Sequence, residues 1–167
     1  MTINGGYLMP AWYDILGADL VQRQDSAGIH RSAAAITALI GNEIARGIAA
    51  NRIVLAGFSQ GCAMALHTGL RYPQRLAGIM ALSGYLPLAD SLASERTIAN
   101  ADTPILMCHG SMDPVVAPQR GAASRDRLGA MGYAVQWQSY PMEHSVHPQE
   151  IADISAFLQR VLKQHAQ

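Results

Sequence analysis

Arg52-Ile53-Val54-Leu55-Ala56-Gly57-Phe58-Ser59-Gln60-Gly61-Cys62-Ala63-Met64-Ala65-Leu66 is the stretch whose reading decides the fold. Ile53 to Leu55 is an aliphatic run without a polar break, the pattern of a strand buried on both faces of a parallel sheet. Gly57 ends the run. Gly57-Phe58-Ser59-Gln60-Gly61 then fits G-x-S-x-G, in which a serine sits on a strained turn between strand and helix while the flanking glycines keep side chains out of the way. Ser59 is a candidate nucleophile on this pattern. The plainer alternative is a glycine-flanked serine in an ordinary strand-to-helix turn.

Outward from that stretch, strands and helices alternate. Asp25-Ser26 offers an N-cap to a long segment in which Ile29, Ala33, Ile36, Leu39, Ile40, Ile44 and Ile48 recur at helical spacing, with an end near Gly47. The helix after Ser59 runs to about Arg71 and stops at Tyr72-Pro73, because proline disfavours helical geometry in the residue before it. His67 lies in that helix and reads as a surface or core-edge histidine. Leu76 to Gly84 and Pro104 to Gly110 read as further buried strands, separated by a loop over 85–103 with a short helix. Ala117 to Met131 reads as a helix, Val135 to Tyr140 as a strand with one wetter face, and Pro148 to Lys163 as a final amphipathic helix on Ile151, Ile154, Phe157, Leu158 and Val161. Residues 1–25, punctuated by Gly5-Gly6, Pro10 and Gly17, read as extended and loop structure. Their aromatic residues Tyr7, Trp12 and Tyr13 are expected to pack over the core or to line a pocket. The alternation implies an α/β fold, a mostly parallel sheet with helices on both faces.

Composition narrows the function. The chain has 167 residues, half of them hydrophobic and 14% charged, enough for one domain (1–167) that buries roughly 70% of its unfolded surface. Twelve basic residues balance twelve acidic ones, with no basic block, so nucleic acid is not an expected partner. No apolar run approaches membrane-spanning length, and the N-terminus lacks a basic region followed by an apolar one. Cys62 and Cys108 fall in segments that read as buried, which fits reduced thiols better than a disulfide framework. The expectation is a soluble, cytoplasmic protein.

A serine hydroxyl is a weak nucleophile and needs a base within reach, itself held in the right tautomer by a carboxylate. In α/β sheets such groups collect at the carboxyl ends of the strands. Asp113 follows the strand ending at Gly110, and His144 follows the strand ending at Tyr140. The chain order Ser59, Asp113, His144 is the Ser-Asp-His order of α/β-hydrolases. Asp90 is a weaker alternative for the acid, and Asp102 precedes its strand and so lies at the wrong end. His147 and His109 compete with His144 for the base. Glu143-His144-Ser145-Val146-His147 suggests a metal pair only weakly, since Pro148 argues against an established helix there and no third ligand is evident. No metal or other cofactor is expected.

Gly57-Phe58-Ser59-Gln60-Gly61, Cys108-His109-Gly110-Ser111-Met112-Asp113-Pro114-Val115-Val116 and Tyr140-Pro141-Met142-Glu143-His144-Ser145 together resemble the carboxylesterase and acyl-protein thioesterase family. Ala11-Trp12-Tyr13-Asp14-Ile15 resembles it too, so the likeness covers nearly the whole chain. It implies an α/β-hydrolase fold with Ser59 as nucleophile, Asp113 as orienting acid and His144 as general base. It also implies cofactor-free hydrolysis of carboxylic esters, acyl thioesters and lysophospholipids.

Departures from the family pattern carry expectations of their own. Cys62 stands where a second glycine is usual. Glu143 stands beside His144, where a close carboxylate would favour the protonated ring. The family begins with strands and a His-Gly-Leu-Gly loop that have no counterpart here; that loop supplies one of two oxyanion donors, leaving Gln60 N–H as the donor assigned. Without those strands Ile53-Val54-Leu55 would form a sheet edge, covered by residues 1–15 folding back or by a second copy of the chain, so a homo-oligomer is expected. The functional expectation is a serine esterase acting on short-chain acyl esters or thioesters. The alternative is a weak or inactive truncated hydrolase serving as an oligomeric interaction module.

Overall fold

A computed structural model describes residues 2–3, 7–16 and 24–163 of the chain. The glycine pair at 5–6, Gly17 and the Tyr7 side chain lie outside what it describes. In chain order the elements are β1 (Thr2–Ile3), β2 (Tyr7–Leu8), α1 (Ser26–Ala45), a 3-10 turn (Ala50–Arg52), β3 (Val54–Phe58) and α2 (Gln60–Arg71). There follow β4 (Gly78–Leu82), α3 (Leu92–Glu95), a second 3-10 turn (Ile98–Asn100), β5 (Ile105–Gly110), α4 (Pro118–Ala130), β6 (Val135–Tyr140) and α5 (Pro148–Lys163).

Local chemistry accounts for the boundaries. The Asp25 carboxylate accepts the Gly28 N–H at 2.8 Å and so caps α1. Gly47, with φ +97°, takes the left-handed conformation just beyond the end of that helix. Pro73 holds Tyr72 extended and stops α2.

β3, β4, β5 and β6 form one parallel sheet in that order. Each crossover carries a helix, as parallel pairing requires. On one face α2 and α4 cover Leu55, Ile79, Ile105 and Met107, and α1 packs over α2 through Ile29, Ala63 and Met64. On the other face Phe157 and Val161 of α5 meet Met80, Leu106 and Cys108. This is the expected parallel α/β arrangement with helices on both faces.

Three expectations need correction. The strand before Ser59 is not buried on both faces: Ala56 is exposed and Phe58 is 36% exposed. β3 is the outer strand, and on the face opposite α2 the buried cluster under α5 is built on β4, β5 and β6, with Val54 of β3 only partly buried at its margin. Among the described residues β1 and β2 pair antiparallel with each other and with no strand of that sheet, while Trp12 borders a groove alongside β3. Leu39, Ile48 and Ile151, assigned to apolar helix faces, are 58%, 42% and 54% exposed. For Leu39 the cause is visible: it borders an apolar groove of about 550 Å³ between α1 and β3, lined also by Ile36, Ile53 and Val54.

His67 is buried rather than at a surface or core edge. Among the described residues its Nδ1 has no hydrogen-bond partner, and its ring meets His30 edge-on at 5.5 Å between centroids. Burial first, then the charges of Arg71 and His30, push its pKa down to about 4. It is a neutral core residue.

The tightest polar knot is at Asn100, fully buried below the sheet. Its amide donates to Tyr72 O at 2.8 Å and Gln74 O at 2.9 Å, and accepts from Leu76 N and the Thr103 hydroxyl, both at 2.9 Å. That single side chain fixes the turn from α2 into β4 and thereby the register of β4 beside the Ser59 strand. Asn100→Ala leaves several buried groups without partners, so urea unfolding should show a loss of about 2–4 kcal/mol.

Candidate active site

Ser59 lies between the last residue of β3 and the first of α2, with φ 57° and ψ −117°. A non-glycine residue adopts such a backbone only where its surroundings enforce it. Here the Ser59 N–H donates to Leu82 O at 2.9 Å, tying the turn to the tip of β4. Glycine is required at two points of close approach to this turn: a Cβ on Gly57 would collide with the Gly61 carbonyl, and one on Gly84 would lie 2.7 Å from Ser59 O, whereas one on Gly61 would meet nothing closer than 4.0 Å. The first glycine of G-x-S-x-G therefore acts through close backbone packing.

Asp113 and His144 come together because the tips of β5 and β6 are stitched. Ser111 N–H donates to Tyr140 O at 2.8 Å, and Met112 N–H to Met142 O at 3.1 Å. His144 Nδ1 and Asp113 Oδ2 are 2.7 Å apart. The other carboxylate oxygen accepts Val115 N–H at 2.8 Å and Val116 N–H at 2.9 Å. Burial works to raise the Asp113 pKa, but the bonds from His144, Val116 and Val115 outweigh it and hold the carboxyl below its usual value. An ionised Asp113 fixes the proton on His144 Nδ1 and leaves Nε2 free to accept. The His144 ring packs against Phe58, the neighbour of Ser59, at 4.7 Å between centroids. No hydrogen bond joins Ser59 Oγ to His144 here; such bonds are often long before substrate binds.

The alternatives are placed elsewhere. Asp90 pairs with Arg127 at 2.9 Å on the surface, and Asp102 pairs with Arg75. His147 stacks on Tyr140 and its Nδ1 accepts Gln149 N–H at 3.1 Å. Glu143 is exposed, and no ion pair joins it to His144 among the described residues. His109 is 1% exposed and its Nε2 donates to Val116 O at 2.8 Å. It thus braces the Val115–Val116 amides that hold Asp113, a supporting position that chain order alone did not distinguish from a candidate base.

A cavity of about 590 Å³ opens over Ser59, walled by Trp12, Ile15, Phe58, Gln60 and Val115. Tyr13 is 3% exposed, and its hydroxyl lies 3.1 Å from that of Tyr85. The aromatic pair thus divides, Tyr13 anchoring in the core and Trp12 bordering the cavity. Gln60 N–H sits at the positive end of a twelve-residue helix, directly after Ser59. Sequence reading did not find the Gln60 side chain, whose partners are 47 and 48 residues away.

The family model for phospholipases and carboxylesterases matches residues 1–162. The acyl-protein thioesterase 1 of Gibberella zeae is 43% identical over 97% of this chain and 72% of its own length. That of Neurospora crassa is 46% identical over 95% and 68%, respectively. Among solved structures, Arabidopsis thaliana SOBER1 superposes with a TM-score of 0.88 at 29% identity, covering 94% of this chain and 76% of that one. Zea mays acyl-protein thioesterase 2 does so with a TM-score of 0.81 at 30% identity, covering 95% and 75%. With the family model spanning almost every residue and the fold shared throughout, this chain belongs to the phospholipase/carboxylesterase family of α/β-hydrolases.

Proposed function

We propose that the chain is a serine hydrolase of short-chain carboxylic esters and acyl thioesters, with Ser59 as nucleophile, His144 as general base and Asp113 as orienting acid. The observation that carries this reading is the 2.7 Å bond between His144 and Asp113, set beside a strained serine in an apolar cavity. Ser59 Oγ attacks the acyl carbonyl as its proton passes to His144 Nε2, and the Gln60 N–H receives the oxyanion. Collapse breaks the bond to the alcohol or thiol, which leaves with the proton from His144. Water, deprotonated by the same ring, then attacks the acyl-enzyme and releases the carboxylic acid and Ser59.

Thioesters are included because the matched relatives are named acyl-protein thioesterases. Lysophospholipids fall in the same chemical class. Two buried free thiols support a reducing, cytoplasmic setting. Among the described residues no helix is long and apolar enough to cross a membrane.

A second reading, an oligomeric interaction module with little turnover, rests on a separate observation. Ile53 O and Ser59 N both bond to the β4 side, so alternation along the strand turns the peptide groups of Val54, Ala56 and Phe58 outward. Such an edge favours association with another copy.

Hydrolysis of p-nitrophenyl butyrate by the purified chain separates the two. On the leading reading the parent turns over and Ser59→Ala loses at least about 1,000-fold in kcat; a parent at the background rate, with dimers in sedimentation, supports the module. Asp113 adds a prediction in pH. Its folded pKa lies below the unfolded value, so its contribution is present above about pH 4 and is lost as pH falls through the folded pKa. Urea unfolding between pH 2 and pH 5 should therefore show a flatter acid limb for Asp113→Asn than for the parent.

A further inference from the structure

The segment walling the Ser59 cavity has little secondary structure of its own. Among the described residues its strand-like pairing is an isolated bridge from Ile15 to Gln24. Its backbone is instead held by side chains from elsewhere. Ser32 on α1 donates to Trp12 O. Asp25 accepts Asp14 N–H at 2.9 Å while capping α1 with its other oxygen. Gln60 does more than either: its Oε1 accepts Trp12 N–H at 3.1 Å and its Nε2 donates to Tyr13 O at 3.1 Å.

Of these clamps, Gln60 alone reaches from the residue that follows the nucleophile. A primary amide presents one acceptor and two donors in a plane, the same complement a peptide group offers to a neighbouring strand. Two bonds, to the peptide units on either side of the 12–13 link, fix both the separation and the twist of that backbone relative to Ser59. Trp12, 39% exposed, and Ile15 then face the cavity as a wall that Gln60 ties directly to the Ser59 turn.

We propose that the Gln60 side chain is a positioning residue that holds the Trp12 segment at a fixed distance from Ser59 and so sets the acyl-chain preference of the site. The backbone N–H of the same residue faces the oxyanion, so one residue joins the reacting centre to the wall that sorts substrates. The wall is a matter of geometry, whereas its effect on acyl preference rests on the hydrolase reading.

The test uses the tryptophan content. There are two tryptophans, at positions 12 and 137, and Trp137→Phe leaves Trp12 as the sole reporter. In that background Gln60→Ala should raise the acrylamide quenching constant of Trp12 about twofold. It should also raise KM for p-nitrophenyl octanoate about tenfold relative to p-nitrophenyl acetate, the scale expected from two lost hydrogen bonds, with kcat moving less. Gln60→Glu is the second variant. An ionised carboxylate accepts from Trp12 N–H but offers nothing to Tyr13 O, whereas the protonated acid does both. Quenching in this variant should therefore fall back toward the parent's as pH drops from 7 to 4, while the parent's stays level.

Unchanged quenching in Gln60→Ala overturns the proposal, as does a pH-independent Gln60→Glu. An equal fall in kcat for both esters at constant KM also overturns it, because Gln60 would then act at the reacting centre alone. If Gln60→Ala fails to melt cooperatively, the pH response of Gln60→Glu decides. A parent without turnover overturns the hydrolase reading, and the quenching comparison still supports or overturns the wall.

Discussion

The left-handed backbone of Ser59 is the constraint around which the neighbouring structure is arranged. A chain leaving β3 can enter α2 in a single residue only by passing through a conformation that L-residues resist. The compensation for that cost comes from the surrounding contacts. Part comes from the Leu82 carbonyl, which captures the Ser59 N–H at the tip of β4. Part comes from close backbone contact at Gly57 and Gly84, where any side chain would force the turn open. The Asn100 knot, although remote from the cavity, belongs to the same device, because it seats the start of β4 and hence the carbonyl at its tip.

The sheet gives the site its charge as well as its shape. Parallel pairing brings the ends of β5 and β6 level, and the bonds from Ser111 and Met112 carry that alignment past the last ladder residues into the loops. Asp113 is then buried without becoming neutral, since two amides and an imidazole satisfy it. Had the carboxylate been buried without those donors, desolvation would have protonated it and released the hold on the His144 tautomer. His109, beneath the loop, ties the carbonyl of Val116 and keeps its amide aimed at the acid.

Much of this was legible in the residues. G-x-S-x-G, Pro73 and the capping Asp25 act locally, so their consequences follow from short-range sterics and hydrogen bonding. Asp113 and His144 were recognisable because a parallel sheet delivers successive strand ends to one rim, which turns chain order into proximity. What escaped depends on position across the sheet. The aliphatic run at Ile53–Leu55 is compatible with a central or an outer strand, and only the assembled order of strands shows that Ala56 and Phe58 are open. His67 escaped for a similar reason: nearly every residue of α2 is buried because α1 lies over it, and no periodicity within α2 reports that. The Gln60 side chain escaped because its partners are backbone atoms, which carry no sequence signature.

The two thiols carry a different kind of consequence. Cys62 is fully buried behind the Ser59 turn, and Cys108 is buried in the middle of β5, where desolvation pushes its pKa up to about 12. Alkylating reagents attack the thiolate, and at neutral pH the folded chain offers them almost none. Each cysteine thus behaves as a chemical clock, silent while its part of the sheet is closed and reactive once it opens. One lies behind the Ser59 turn and the other in the strand that leads to Asp113. Their relative labelling rates would resolve whether the two halves of the site come apart together or in turn.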